Sequence, residues 1–470
     1  MAFYLKELSS GLFPEASRHA YEEDTVPAPD VISILQKFVD QVAFLARRNT
    51  NMWEGASLNL EAYSQNYSND LFASSQFATR EVSRVLTAHL PVTRQDLVDN
   101  LMDPKLIEKI FPSLIAYASY RSSDSEYLVM DVGYMPDISP LLQPREKCVV
   151  RCKKRLPFSN TWVVAEFSMR PRSTSPPPDF IKLPSGFVIE DKDSGCEVKI
   201  VEHWLLRNGS TLAANDGAHR LLTSLQRHYL SDYNPRLPRQ EPGKYRTVHY
   251  NTRVANLSTQ MVRLFCAGIT GVAGKEWITP SGWYKDEASD ETVLVLKKKI
   301  RREWDVKNVV RTVTIDATPS TVSSLLHDSS NIWQHMHGYT IGDQQVRLLR
   351  GDTHPTESIK KNYVSVYEIK CPGSSDGFLI EETYFEDPKM IIRAVLDAPT
   401  YESVVKDDKV DPLTVKMLPF GVVIHPASAN EERCTLSVCY QFETDKVNVD
   451  EAKTVISQTL SNLTNALPRA

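Results

Sequence analysis

LPSGFVI at residues 183–189 and LPFGVVI at residues 418–424 are nearly one phrase written twice, 418 − 183 = 235 positions apart. Proline fixes φ and starts a turn, and glycine gives the backbone freedom at a close approach. Valine and isoleucine then resume a strand. The phrase predicts the corner that enters the last hairpin of a sheet. It is a folding feature rather than a catalytic one, and its repetition raises the question of whether its surroundings repeat as well.

They do. Residues 91–112 (PVTRQDLVDNLMDPKLIEKIFP) and 319–338 (PSTVSSLLHDSSNIWQHMHG) each begin with proline, carry one helix, reach an aspartate and predict a second short helix. Leu97 and Leu101 match Val322, Leu325 and Leu326; Ile107 and Ile110 match Ile332 and Met336. Asp103 and Asp328 stand 328 − 103 = 225 positions apart, close to the offset of the phrase. Downstream, alternating β-rich stretches (NTWVVAEFSM, SGFVIED, CEVKIVEHWLL) lead to a helix at 216–230, DGAHRLLTSLQRHYL. In the second half GFLIEETYF, KMIIRAVLDA, FGVVIHP and CTLSVCYQFE lead to a last helix from Asp450, its expected N-cap. A domain-sized unit is thus duplicated: a helical pair, antiparallel strands, then one long C-terminal helix.

Before the first unit, residues 29–48 form an amphipathic stripe through Val31, Leu35, Val39, Val42 and Leu45, closed by two arginines, and predict a core-covering helix. The Pro-rich and charged stretch 231–247 has linker composition, and PRSTSPPPD at 171–179 reads as a long hairpin loop. The expected organisation is an arm at 1–28, a first domain at 29–232, a linker at 233–256 and a second domain at 257–470.

Of the 470 residues, 41 % are hydrophobic and 24 % charged, enough apolar mass for two cores. The net charge of −5 argues against a chain built to coat nucleic acid. Seven cysteines without a CxxC pair read as free thiols of a reducing compartment, and their spacings make poor zinc half-sites. No apolar run suits a signal peptide or a membrane span. The expectation is a protein of the nucleus or cytoplasm.

The order and register of TWVVAEFSM, KLPSGFVIED, CEVKIVEHWLL and AHRLLTSLQRHYL resemble the START (lipid-transfer-related) domain of plant class IV homeodomain–leucine zipper transcription factors. LFCAGI, Trp277, RTVTIDATPSTVSSLLHD, GFLIEETYF, LPFGVVIHP and LSVCYQFE resemble the START-associated region of the same family. The resemblance covers roughly residues 30–470. It implies an α+β chain of two tandem helix-grip domains, each an incurved antiparallel sheet around a long C-terminal helix and a cavity. The family's homeodomain and zipper have no counterpart: no basic recognition helix and no sustained heptads occur, and nothing before residue 29 could hold a homeodomain. Specific DNA binding by this chain alone is not expected. VVAEFS, where the family reads VVDVS, and DGAHR near the helix mark drift in the ligand-facing surface.

Two carboxylates, Glu166 and Glu202, interrupt otherwise apolar strands. They read either as polar anchors in a cavity or as outward-facing groups. By alternation Trp162, Val164 and Glu166 share one strand face, opposite Val163, Ala165 and Phe167. The candidate cavity is lined by Trp162, Val164, Ala165, Glu166, Phe187, Ile189, Glu202, Trp204, Leu222 and Leu225, with the helix at 216–230 as its cover. His203 reads as a structural histidine, and His335 with His337 as a surface pair rather than a metal site. KKKIRR at 297–302 and RCKKR at 151–155 are basic runs, read as solvated strand faces or as phosphate-meeting or nuclear-localisation segments. No nucleophile–base set or phosphate loop stands out, and no cofactor is called for.

The function read from these features is non-enzymatic: a lipid- or sterol-binding regulatory protein, with homeodomain–zipper proteins as candidate partners. Its rivals are a ligand-free interaction module with filled cavities, and an enzyme on the same fold.

Overall fold

A computed structural model of the chain describes residues 28–47, 53–54, 57–59, 79–123, 127–135, 138, 145–157, 159–168, 180–207, 217–229, 248–270, 277–278, 284–285, 292–300, 304–328, 340–350, 362–370, 376–385, 388–427, 432–443, 447 and 449–467. Two units divide the chain: residues 1–136 with 145–229, and residues 137–144 with 230–470.

The first unit opens with helix α1 (Ala28–Leu45) and a two-residue hairpin, β1 (Trp53–Glu54) with β2 (Ser57–Leu58). Strand β3 (Thr79–Leu90) leads to helices α2 (Arg94–Leu101) and α3 (Pro104–Ile110). Then come β4 (Ile115–Ser123), β5 (Tyr127–Tyr134), β6 (Arg145–Arg155), β7 (Thr161–Ser168), β8 (Phe180–Lys182), β9 (Ser185–Lys192), β10 (Gly195–Arg207) and helix α4 (Gly217–Tyr229). The sheet is antiparallel in the order β3-β10-β9-β7-β6-β5-β4, with β8 also paired to β10.

Period-two alternation gives this sheet two apolar faces. Val164, Phe187, Ile189, Val198 and Ile200 pack with Leu97, Leu101, Ile107 and Ile110 of the helical pair and Leu225 of α4. Val163, Ala165, Phe167, Val188 and Val201 pack with Leu35, Phe38, Val39 and Val42 of α1. The expected covering helix is present, but it ends at Leu45, so Arg47 lies beyond it.

The second unit opens with a 23-residue helix, α5 (Val248–Thr270). Its strands and helices are β11 (Trp277–Ile278), β12 (Tyr284–Lys285), β13 (Thr292–Ile300), β14 (Trp304–Ile315), α6 (Pro319–Asp328), β15 (Thr340–Arg350), β16 (Asn362–Lys370), β17 (Gly377–Tyr384), β18 (Lys389–Asp397), α7 (Ala398–Lys406), β19 (Phe420–Pro426), β20 (Cys434–Glu443) and α8 (Val449–Ala466). The sheet order is β11-β13-β14-β20-β19-β18-β17-β16-β15, with β12 also on β13.

From β14 onward this is the first sheet again, strand for strand, and each unit ends on a helix against its first and last long strands. The fold is α+β, two tandem helix-grip units. The repeat reaches single side chains. Thr93 Oγ1 accepts from Asp96 N at 3.1 Å to cap α2, and Thr318 Oγ1, 318 − 93 = 225 positions on, accepts from Thr321 N at 3.1 Å. Gly186 and Gly421 each sit second in the penultimate long strand. A methyl group on Gly186 would strike the carbonyl oxygen of Val164; one on Gly421 would strike that of Ile391. Gly186 also has φ +148°, a region that side chains other than glycine's rarely enter.

Two expectations need correction. Residues 248–256, read as the end of the linker, are the first turns of α5 and belong to a packed helix, with Val254 and Ala255 buried. Asp450 is not the N-cap of the last helix; it lies inside the first turn of α8, where its charge still suits the helix N-terminus. The loop at 171–179, the linker at 231–247, Ile332, His335, Met336 and His337 lie outside the described residues.

Candidate functional site

In the first unit, strands β6 and β7 place Arg151 directly opposite Glu166. Both are buried, at 3 % and 1 % exposure, on the face that meets the helical pair and α4. Arg151 Nε donates to Glu166 Oε2 at 2.6 Å and Nη2 donates to the same oxygen, making a two-pronged contact. Arg151 Nη1 donates to the carbonyl of Leu101, the last residue of α2, where a cation complements the helix dipole. Lys182 Nζ reaches Glu166 Oε1 at 2.7 Å, and the Tyr134 hydroxyl donates to that oxygen too.

Aromatic rings hold the lysine. Its ammonium lies 5.1 Å from the ring centre of Tyr134 and 5.0 Å from that of Trp204. The two rings meet edge to face at 5.7 Å. Glu202 is buried beside this group, against Gly217 at the start of α4, so close that a methyl group on Gly217 would collide with the carboxylate. Arg220 of α4 is buried as well, and donates to the carbonyls of Met135 (3.2 Å) and Ser113.

The two carboxyls are held in opposite senses. Burial alone would push Glu166 up, but Arg151 and Lys182, with the hydrogen bonds of Lys182 and Tyr134, hold it down at about 2. Burial pushes Glu202 up, with Lys182, Trp204 and Arg220 opposing. Burial and the Glu166 charge push Tyr134 well above the usual phenol range. The interior therefore holds three cationic side chains, Arg151, Lys182 and Arg220, against two carboxyls, one held down by its cationic partners and the other raised by burial.

Of the sequence-derived candidates, Val164, Phe187, Ile189 and Leu225 lie in the core between the sheet and the helices, with Trp162, Trp204 and Leu222 partly buried against it. Glu166 and Glu202 are both buried. Ala165 does not belong with them: it packs on the opposite face, under α1. Alternation alone forces this, because Ala165 lies between Val164 and Glu166. His203 is buried, its backbone N–H donating to Ser185 Oγ at 3.0 Å. Arg151, Lys182, Tyr134 and Arg220 were missed. Arg151 carried a readable signal, since it breaks the apolar strand CVVRC as Glu166 breaks VVAEF. Reading it within the basic run RCKKR hid that signal, and its burial takes it out of any surface patch. In the other basic run, Lys297–Ile300 lie in β13, and Arg301 and Arg302 fall outside the described residues.

The second unit places a charged pair at the same point. Glu381 on β17 stands opposite Arg393 on β18, with Arg393 Nε donating to Glu381 Oε2 at 2.6 Å; the side chains are 2 % and 4 % exposed. On the other face of β17, Glu382 accepts from Ser258 of α5.

Residues 247–468 match the family described as PDF2-like, C-terminal domain. Homeobox-leucine zipper protein ROC3 of Oryza sativa subsp. indica is 22 % identical over 447 residues, covering 85 % of this chain and 49 % of its own length. Over most of its length the chain is similar to homeobox-leucine zipper proteins. Homeobox-leucine zipper protein ROC8 of Oryza sativa subsp. japonica is 23 % identical over 363 residues, covering 70 % of this chain and 49 % of its own length. The chain spans about half the length of these relatives, and the resemblance to their START and START-associated region is borne out. Among solved structures, human StAR-related lipid transfer protein 5 is similar at 14 % identity and a TM-score of 0.31, over 43 % of this chain and 97 % of that one.

Proposed function

We propose that the first unit binds a lipid or other hydrophobic small molecule, and that the chain is a ligand-responsive, non-enzymatic regulatory protein. One observation carries this reading. A buried charged group, Glu166, Arg151, Lys182 and Glu202, stands among the apolar side chains of Trp162, Val164, Phe187, Trp204 and Leu225 between sheet and helices. Such a juxtaposition suits an amphiphile: apolar walls take its tail at roughly 25 cal/mol per Å² buried, and the charged group fixes its polar end. The surplus of cations favours an anionic or strongly hydrogen-bonding head. Binding would stabilise the unit by mass action, about 2.7 kcal/mol at a hundredfold excess over Kd. The relation to homeobox-leucine zipper proteins favours the nucleus as the place of action and those proteins as partners.

A second reading is favoured by one fact: Glu166 is already engaged by three side chains, so the interior can satisfy itself without a guest. The chain would then act by association alone. Native mass spectrometry of the purified full chain, with extraction of co-purifying lipid, separates the two. The ligand reading expects a bound amphiphile that raises the melting temperature of the wild type and is lost in Val164→Trp, which fills the apolar side of the site. A lipid-free protein that no amphiphile stabilises sinks it.

A further inference from the structure

The second unit has a polar site of its own, distinct from the charged group of the first. Ser323 Oγ and Thr383 Oγ1 are both buried, at 2 % and 0 % exposure, without a hydrogen-bond partner among the described residues. Buried hydroxyls left unsatisfied are rare and unfavourable, so two in one neighbourhood call for an explanation.

Their neighbourhood is shared. Tyr363 on β16 is the register partner of Thr383 on β17, so both side chains leave the same face of the sheet. The Tyr363 hydroxyl reaches the ring of His327 on α6, which fixes that face as the one under α6. Ser323 precedes His327 by four residues and lies on the same stripe of α6, one turn or about 5.4 Å back. Helix α6 runs against β18 and β19, so that step carries Ser323 from the Tyr363–His327 contact toward β18. Strands lie about 4.8 Å apart, so one helical turn spans one strand. Ile391, the partner of Thr383 on β18, belongs to the apolar core there with Val322 and Leu326.

Next along the same face stand Glu381 and Arg393, whose charges cancel in a buried pair. The position of Lys182 is taken by Met417, that of Glu202 by Tyr440 and that of Trp204 by Phe442, counting from Gly186 and Gly421 and their register partners, and Arg311 on the same face of β14 is engaged by Ser457 of α8. A guest atom between the two hydroxyls must be able to donate and accept, and it gains nothing from a formal charge.

We infer that the second unit holds an uncharged, hydroxyl-bearing apolar molecule, its hydroxyl bonded to Ser323 and Thr383 beneath α6. Charge thus divides the ligands of the two units, and this site stands independently of the one in the first.

The test uses the full chain with two probes of equal length, 1-dodecanol and laurate, and a photoreactive analogue of each. The expected result is cross-linking of the alcohol to peptides within 319–328 and 377–397, with laurate at least tenfold weaker there. The double variant Ser323→Ala/Thr383→Val should lose at least tenfold in alcohol affinity while melting no lower than wild type, because it removes two unsatisfied hydroxyls. Failure of dodecanol to bind, cross-links confined to the first unit, or unchanged affinity in the folded double variant overturns the inference. The last result would leave water as the partner of both hydroxyls. Cross-links to β7, β9 and β10 report the first unit separately, so each site stands or falls alone.

Discussion

Glu166 and Arg393 occupy the same position in the two sheets and carry opposite charges. Gly186 pairs with Ala165, and Gly421 pairs with Ile392; the next residue on each inner strand is Glu166 or Arg393. Each finds its counter-charge one strand away, at Arg151 or Glu381. Duplication has kept the buried pair and reversed its direction.

Breaking the first pair should cost more than breaking the second. Glu166→Gln leaves Arg151 and Lys182 buried without their carboxylate, and loss of one partner of a buried pair costs about 3–5 kcal/mol. Glu381→Gln strands only Arg393, so a loss toward the lower end of that range is expected. Urea titration of both variants measures the difference. Equal losses would mean that Lys182 is satisfied by the rings of Tyr134 and Trp204 alone.

The two carboxyls of the first unit predict opposite pH slopes. Glu166 titrates at about 2 in the folded state against about 4.3 unfolded, so its contribution, about 3 kcal/mol, is present above the unfolded value and fades between pH 4.3 and 2. Glu202 is raised by burial, so its contribution is present below about 4.3 and is lost as pH rises through its folded value. Stability measured against pH should therefore lose its acid limb in Glu166→Gln. It should lose the decline above pH 4.3 in Glu202→Gln. A Glu202→Gln curve parallel to wild type above pH 4.3 would contradict the raised value.

Gly217 makes the placement of Glu202 testable by size alone. Alanine in a helix gains up to about 1 kcal/mol over glycine. Here the added methyl would collide with the Glu202 carboxylate, and overpacking costs about 1–3 kcal/mol. Gly217→Ala should thus destabilise the wild type, yet stabilise a Glu202→Ala background by roughly the propensity gain. The pair of melting curves decides it; the same sign in both backgrounds would separate the two residues.

Much of this was legible in the sequence because duplication wrote it twice. The LPxGxVI phrase marked two places where a strand crosses a neighbour's carbonyl too closely for any side chain, and the constant offset of 225 from β14 through α6 fixed equivalent strands and caps. The charged site was half legible. Glu166 and Glu202 stood out as carboxyls in apolar strands, whereas Lys182 sits beside a turn and Arg220 on a helix face, where such residues usually meet water. Their burial depends on which elements the chain brings together, and no local pattern encodes that. Helix α5 was hidden for the opposite reason: its first turns, VHYNTRVAN, follow a Pro-rich stretch and are rich in polar residues, one of which, Arg253, is buried and donates to the carbonyl of Val404.

Reversed polarity also bears on how two like units fold in one chain. Were β6 to pair with β18, Arg151 would face Arg393; were β17 to pair with β7, Glu381 would face Glu166. Each hybrid sheet would bury two like charges, so the reversal works against mixing the repeats. The variant Glu381→Arg/Arg393→Glu restores one direction in both units and makes both hybrid contacts attractive. Its native pair keeps opposite charges, so its equilibrium stability should fall by less than the roughly 3–5 kcal/mol of a broken buried pair. Its refolding yield from urea should fall, with more aggregate at equal concentration, because strands of the wrong unit are no longer rejected. Glu381→Gln/Arg393→Gln, which neither repels nor attracts the other unit's pair, should refold with a yield between the two. If the reversed variant matches wild type in both yield and stability, the opposite polarities of Glu166 and Arg393 have no part in keeping the units apart.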